Sequence, residues 1–250
     1  MSKKEIVKTE KGNIVNAGDA AQMFGDGTVQ LPVDAPLPQI TIMRESAQFE
    51  MPDGAYKKDF TGHLIYWHNA NTFFSSAYGE GEAAAPDCCS SDGIKPDGGQ
   101  FPQAESCRSC DLNKFQSASD GQGKACKNTI RLYVLADGEV IPSLLIAPPT
   151  SLAPKDSLIR WLVAAPNTAA KAGMGTAYQP IQVKFTLRKK EFNSGMTASV
   201  VQLETVRVLT LEADEAKLKQ LQTLYQDFMT NYMGRVKEDV AAEGAQSPSE

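Results

Sequence analysis

Between Pro180 and Phe192 the chain alternates strictly: Ile181, Val183, Phe185 and Leu187 against Gln182, Lys184, Thr186 and Arg188. A two-residue period sends successive side chains to opposite faces, so this stretch is a half-buried strand with a polar, basic outer face. It commits the chain to a sheet with one wet side. The surrounding sequence agrees. "SVVQLETVRVLTL" follows after the turn formers Asn193, Ser194 and Gly195, and "TIRLYVLADGEVIPSLLIAPP" places Asp137-Gly138 between two apolar runs. That dipeptide predicts a hairpin with a type I′ turn.

Upstream, "QITIMRES" (39–46) and "GHLIYW" (62–67) supply two further β-type runs. In "DSLIRWLVAAP", Leu158, Ile159, Trp161 and Leu162 form a short helical face, which Pro166 is expected to stop. Near the C-terminus Leu218, Leu221, Tyr225, Phe228 and Tyr232 recur at spacings of three and four, an amphipathic helix with acidic residues at its start. The order strand, strand, long insertion, strand hairpin, helix, strand, strand, helix predicts a mainly β (α+β) fold. Its best match is a five-stranded OB-like barrel, the partly open Greek-key barrel whose face and loops bind oligonucleotides, with a zinc-stapled insertion and a C-terminal amphipathic helix. The expected domains are a flexible N-terminal arm (1–37), an OB-like nucleic-acid-binding domain (38–210), a C-terminal helix (211–236) and a disordered tail (237–250).

Residues 79–128 interrupt this pattern, losing apolar content almost entirely while holding all five cysteines of the chain. So long an excursion is functional, disordered, or held by something other than a core. The N-terminus, "MSKKEIVKTEKGN", has no apolar h-region and no run approaches membrane-spanning length, so a cytoplasmic, membrane-free protein is expected. In that compartment an odd number of cysteines argues for metal binding or isolated thiols over disulfides. Cys107-x-x-Cys110 has knuckle spacing, with Cys126 sixteen positions on and Cys88 or Cys89 about as far before. Cys89, Cys107, Cys110 and Cys126 are the preferred ligands of a closed, structural zinc site, Cys88 being a neighbour or alternate. His63 and His68 lie upstream and either could replace a thiol, but lone histidines near strand ends read more simply as ordinary polar residues.

Other chemistries fit poorly. No βαβ pattern surrounds the CxxC, as a redox motif requires. No H-x-E accompanies it, as in zinc deaminases. "GQGKAC" lacks a phosphate loop's first glycine, Ala118 standing there, and its Ser/Thr, replaced by Ala125. No catalytic residue is assigned.

The net charge of −5 conceals an asymmetry. Residues 1–123 carry 10 Lys+Arg against 17 Asp+Glu, residues 124–210 carry 11 against 5, and residues 211–250 carry 4 against 8. A basic block between acidic ends points to an anionic partner. Single-stranded nucleic acid needs a basic groove plus aromatic rings on which bases stack. Candidate rings are Tyr66, Trp67, Phe73, Phe74, Tyr78 and Tyr133; candidate cations are Lys114, Lys124, Lys127, Arg131, Lys184, Arg188, Lys189 and Lys190. About half the aromatics belong in a core by strand alternation, Phe185 and Trp161 among them, and Phe73 and Phe74 are the better stacking candidates.

The succession "CSSDGIKPD", "CRSCDLNKFQSA", "GKACKNTIRLYVL", "IAPPTSL" and a helix resembles the bacteriophage zinc-containing, OB-fold single-stranded DNA-binding proteins over about residues 36–235. The resemblance implies Cys89, Cys107, Cys110 and Cys126 as structural zinc ligands. It also implies a non-enzymatic protein that coats single-stranded DNA in phage or host replication, recombination or repair, with replication or recombination proteins as partners. The rival expectation is a zinc-containing accessory subunit or nuclease-type enzyme of nucleic-acid metabolism.

Overall fold

A computed structural model describes residues 36–75, 85–119, 121, 123–153, 155, 157–192, 195 and 197–241, with two short strands near the N-terminus. The chain divides into units 1–30 and 31–250. In the first, β1 (Ile6–Lys8) pairs antiparallel with β2 (Ile14–Asn16), so the N-terminal arm contains a small hairpin.

The second unit is built on one long strand. β6 (Asp59–Phe73) follows β3 (Gln39–Met43), β4 (Gln48–Glu50) and β5 (Tyr56–Lys57). Then come β7 (Cys88–Ser90), β8 (Lys127–Ala136), β9 (Ser143–Ala147), helix α1 (Ser157–Lys171), β10 (Ile181–Glu191) and β11 (Thr197–Val208). Eight strands form a curled, half-barrel sheet in the order β11-β10-β6-β8-β9-β3-β4-β5, with β7 paired to the far end of β6. Among the described strands only β3–β9 is parallel. The architecture is mainly β as expected, but with more strands than five. Three of the additional strands are β4 and β5, which residues 48–57 add beyond β3, and β7, which extends β6 inside the cysteine segment.

Two apolar layers clamp the sheet. On one face Leu64, Leu132, Val134, Leu145, Val183, Phe185 and Val201 pack with Leu158, Trp161, Leu162, Ala165 and Ala169 of α1. Phe60 lies parallel to Phe185 at 4.7 Å and edge-on to Phe49 at 5.0 Å. On the other face Ile65, Tyr133, Leu135 and Leu144 meet Leu221 and Leu224 of α2 (Leu211–Asp227), Phe228 and Tyr232 of the π-turn after it, and Val236 of α3 (Val236–Ala241). A bulge between Leu64 and Tyr66 lets β6 serve both layers, since Leu64 and Trp67 face the first while Ile65 and Tyr66 face the second. Gly62 permits the close β6–β8 approach: a Cβ there would run into the Leu135 carbonyl.

β11 is an edge strand, and edges invite pairing with other chains. Here the Ser151 and Ser157 hydroxyls accept from the Val201 and Leu203 amides at 3.0 and 2.9 Å, and Trp161 Nε1 donates to Thr205 Oγ1 at 2.9 Å. The edge is thereby covered by α1 and the turn before it.

Three local expectations need correction. α1 continues through Pro166 to Lys171, because Ala165 and Ala169 on either side are buried against the sheet. The contacts of that face outweigh the hydrogen bond that proline removes. The Asp137-Gly138 turn is not type I′: Gly138 alone has positive φ (90°), and the connection runs from 137 to 142. Asp137 instead accepts from Thr61 Oγ1 at 2.6 Å and Gln182 Nε2 at 2.7 Å, tying three strands together. Finally, residues 237–241, placed in the tail by composition, form most of α3; residues 242–250 lie outside the described residues. Among the described residues no helix is long and apolar enough to cross a membrane.

Candidate nucleic-acid interface and thiol cluster

The cysteine segment is folded by polar turns. Asp92 Oδ1 accepts from Ser90 Oγ and from the Ile94 and Lys95 amides at 2.9, 2.6 and 3.2 Å. Asp97 accepts from the Ser91 amide at 2.9 Å and from its hydroxyl. Ser117 Oγ donates to the Leu112 carbonyl at 2.8 Å and accepts from the Ala125 amide at 3.0 Å. Such Asx and Ser turns fix a backbone without a core. They bring Cys107 and Cys110, which flank one turn, close to Cys126, whose amide donates to the Leu112 carbonyl at 2.9 Å.

Strand alternation selects the fourth thiol. Cys88 and Cys89 are adjacent on β7 and point to opposite faces. Cys88 turns towards Cys107, Cys110 and Cys126: burial, then the neighbouring Cys107 and Cys110 thiols, holds its own thiol above the usual range. Cys126 is pushed up to about 12 by burial and then by Cys107, Cys110 and Cys88. Cys89 turns the other way, 2% exposed among Ala70, Val240 and Ala241, and a Cβ on Gly98 would sit on its sulfur. The set that meets is therefore Cys88, Cys107, Cys110 and Cys126, and Cys89 belongs to the packing of α3. The five cysteines form no disulfide. Four thiols suit zinc by softness and number. They line one cavity with Phe73 and Leu112, and Cys89 borders it too, although among the described residues no three His, Cys, Asp or Glu groups are drawn up in ligating geometry.

Neither histidine joins them. His63 Nδ1 donates to the Gln179 carbonyl at 3.0 Å. His68 Nδ1 donates to the Ser91 carbonyl at 2.7 Å, and its Nε2 accepts from the Tyr133 hydroxyl at 3.3 Å. Burial lowers the pKa of both. They are satisfied core residues of the helix-covered face.

That covering removes two of the sequence-predicted contacts. Tyr133 is fully buried and Arg131 is 1% exposed beneath the C-terminal helices. Alternate residues of β8 share a face, and α2, the π-turn and α3 occupy the face of 131, 133 and 135, which the sequence could not reveal. Tyr66 is half-buried with its ring 5.2 Å from Phe228, and Trp67 packs against the opposite layer. Phe73 lines the thiol cavity. Tyr78 lies outside the described residues.

The remaining candidates form aromatic–cation pairs. Lys127 Nζ lies 5.7 Å above the Phe74 ring. Lys124 Nζ lies 5.4 Å above Phe115, a ring 77% exposed, while donating to Asn113 and Asn128. Lys190 Nζ lies 5.2 Å above Phe192. Arg188 and Lys189 are exposed beside it. Lys184 pairs with Asp59 at 3.3 Å, and Lys114 with Asp111 at 2.5 Å. Compared with family models, curated proteins and solved structures, the chain matches none.

The pairs do not share one groove. Lys127 pairs with Thr72 near the end of β6, whereas β10 meets β6 only as far as Thr186↔Asp59 and then projects beyond it through Lys190. From the level of Lys127 to that of Lys190 is seventeen residue steps along the sheet, at ~3.3 Å each a path of about 56 Å. The basic block of the sequence is thus split between opposite ends of β6.

Sequence reading also passed over Tyr56, Lys57 and Lys58. All three are exposed at the end of the sheet where Asp59 faces Thr186. The signal was present: Lys57-Lys58-Asp59-Phe60 echoes Lys189-Lys190-Glu191-Phe192. Phe192 and the exposed Arg44, whose carbonyl accepts from Ser199 Oγ at 3.0 Å, belong to the same end.

Proposed function

We propose that this protein binds single-stranded DNA without reading its sequence, coating and protecting it during phage DNA replication, recombination or repair, through an OB-like half-barrel. The observation that carries this reading is the recurrence of lysine-over-phenylalanine pairs, Lys127/Phe74, Lys124/Phe115 and Lys190/Phe192, at both exposed ends of the sheet. A ring beside a cation is the element single-strand binding requires: the cation neutralises a phosphate, and the ring offers a face worth ~1–3 kcal/mol per stacked base. No base edge need be recognised, so every base is accepted.

In this reading Cys88, Cys107, Cys110 and Cys126 hold one structural zinc ion, which closes the cysteine segment where no core does. The zinc takes no part in chemistry, and the protein is not an enzyme. Replication or recombination proteins are its expected partners. Titration of fluorescent oligo-dT at several salt concentrations tests the reading against oligo-U and duplex. Tight, salt-sensitive binding with preference for the single DNA strand is expected. Absence of binding at low salt overturns it, and cleavage of the substrate with added divalent metal would replace it by a nuclease.

A further inference from the structure

We infer that the single strand is gripped at two separate sites, one at each end of β6, so that full affinity requires a strand long enough to reach both. This rests on the proposed binding of single-stranded DNA and adds how the strand lies. At one end stand Phe74 with Lys127 and Phe115 with Lys124; at the other stand Phe192 with Lys190, next to exposed Lys189, with Tyr56, Lys57 and Lys58 on the neighbouring stretch.

The middle of the sheet provides no continuous track between them. One face of β6 and β8 carries the α1 layer, and the other carries α2 and the turns that follow. Arg131 and Tyr133, the cation and ring that would bridge the two ends on β8, are 1% and 0% exposed. A strand joining the ends therefore passes over the helical layer, touching it little and held mainly where it begins and finishes.

The distance sets a length threshold. The ends are about 56 Å apart along the sheet, somewhat less in a straight line because the sheet curls. Stacked nucleotides advance ~3.4 Å each along one strand, so four cover about 14 Å, and doubling that by unstacking still leaves them at one end. Twenty cover about 68 Å stacked and reach both. Two weak sites joined by one ligand behave as a single tight one, because the second contact forms at high effective concentration.

The test compares (dT)4, (dT)8, (dT)12, (dT)16 and (dT)20 on the full chain, by fluorescence anisotropy, with three variants. Phe115→Ala/Lys127→Gln alters one end, Lys189→Gln/Lys190→Gln the other, and the third combines them. All four side chains are at least partly exposed, and circular dichroism checks that each variant is folded. A rise in affinity of tenfold or more between (dT)4 and (dT)20 is expected, beyond the gain from counting overlapping positions. Each single-end variant should bring (dT)20 down to about the (dT)4 affinity of the unaltered protein. It should also lessen the salt slope for (dT)20 by more than the ~0.7 per lost phosphate contact, since the far end is released as well. Affinity that saturates at (dT)4, or one double variant leaving (dT)20 binding unchanged, overturns the two-ended site while sparing single-strand binding. No (dT)20 binding at low salt overturns both.

Discussion

The half-barrel and the cysteine segment are held together by opposite means. In the sheet Leu64, Leu132, Leu145, Val183 and Phe185 are all fully buried, and the strands are positioned by apolar area removed from water at ~25 cal/mol per Å². Between 91 and 126 only Ser91 and Cys107 are buried among the described residues, while Ile94, Phe101 and Phe115 are exposed by 60% or more. There the backbone is held by the Asp92, Asp97 and Ser117 turns, around a cavity that four cysteines help to line. A chain can thus append a shaped surface to a sheet through side-chain-to-backbone hydrogen bonds, without enlarging its apolar core. The proposed function follows the same division: the cores hold the geometry, and the rings at the ends are the surfaces offered to a single strand.

Ranked by effect on the unfolding of the sheet, four substitutions sharpen this contrast. Phe185→Ala deletes a fully buried ring stacked on Phe60 and should cost ~3–5 kcal/mol in a urea titration, with the thiol segment unchanged below the transition. Ser151→Ala strands the buried Val201 amide at the sheet edge and should cost ~1–3 kcal/mol. Cys89→Ala trims the small contact with Val240 and should loosen α3, yet leave zinc content at one per chain. Cys88→Ser should barely move the sheet's unfolding but abolish zinc retention and open residues 91–126 to protease. Zinc lost from Cys89→Ala and kept by Cys88→Ser would restore the ligand set implied by the family resemblance.

The thiols also give a pH signature. Cys126, raised to about 12, carries its proton at neutral pH, and burial keeps Cys88 protonated there too. Ligation requires thiolates, so zinc uptake should release protons and tighten as pH rises. In the metal-free protein the sign reverses. Stability from the neutral Cys126 thiol is complete below the unfolded value of ~8.5 and fades as pH climbs towards the folded value. Parallel protease-resistance profiles with zinc and with chelator should therefore diverge above pH ~8.5; superimposed profiles would break the link between thiols and segment.

Much of the sheet was legible because its signal is local. The alternation from Ile181 to Leu187 became β10 with those four residues inward, and Phe185 and Trp161 are core as read. The amphipathic spacing from Leu218 to Tyr232 became α2 and the π-turn. What escaped depends on tertiary neighbours. Pro166 sits within α1 because a whole apolar face holds the helix. Arg131 and Tyr133 are buried because a layer formed about a hundred residues later lies on them. Cys88 rather than Cys89 meets the other thiols because β7 pairs with β6 in one register and not its neighbour, and a shift of one residue exchanges the faces. The scattering of the basic block over both ends of β6 likewise follows from pairing registers.

The proposed binding has the rings at both ends of β6, exposed Phe115 and the partly exposed Phe74 and Phe192, stack on one DNA strand. Photocrosslinking of a 20-nucleotide single strand carrying 5-bromodeoxyuridine, with the attached peptides identified by mass spectrometry, tests it most directly. Adducts are expected on peptides containing Phe74 or Phe115 and on the peptide containing Phe192, suppressed by high salt and by excess single strand but not by duplex. Adducts confined to the α2–α3 layer, or none at low salt, would contradict it.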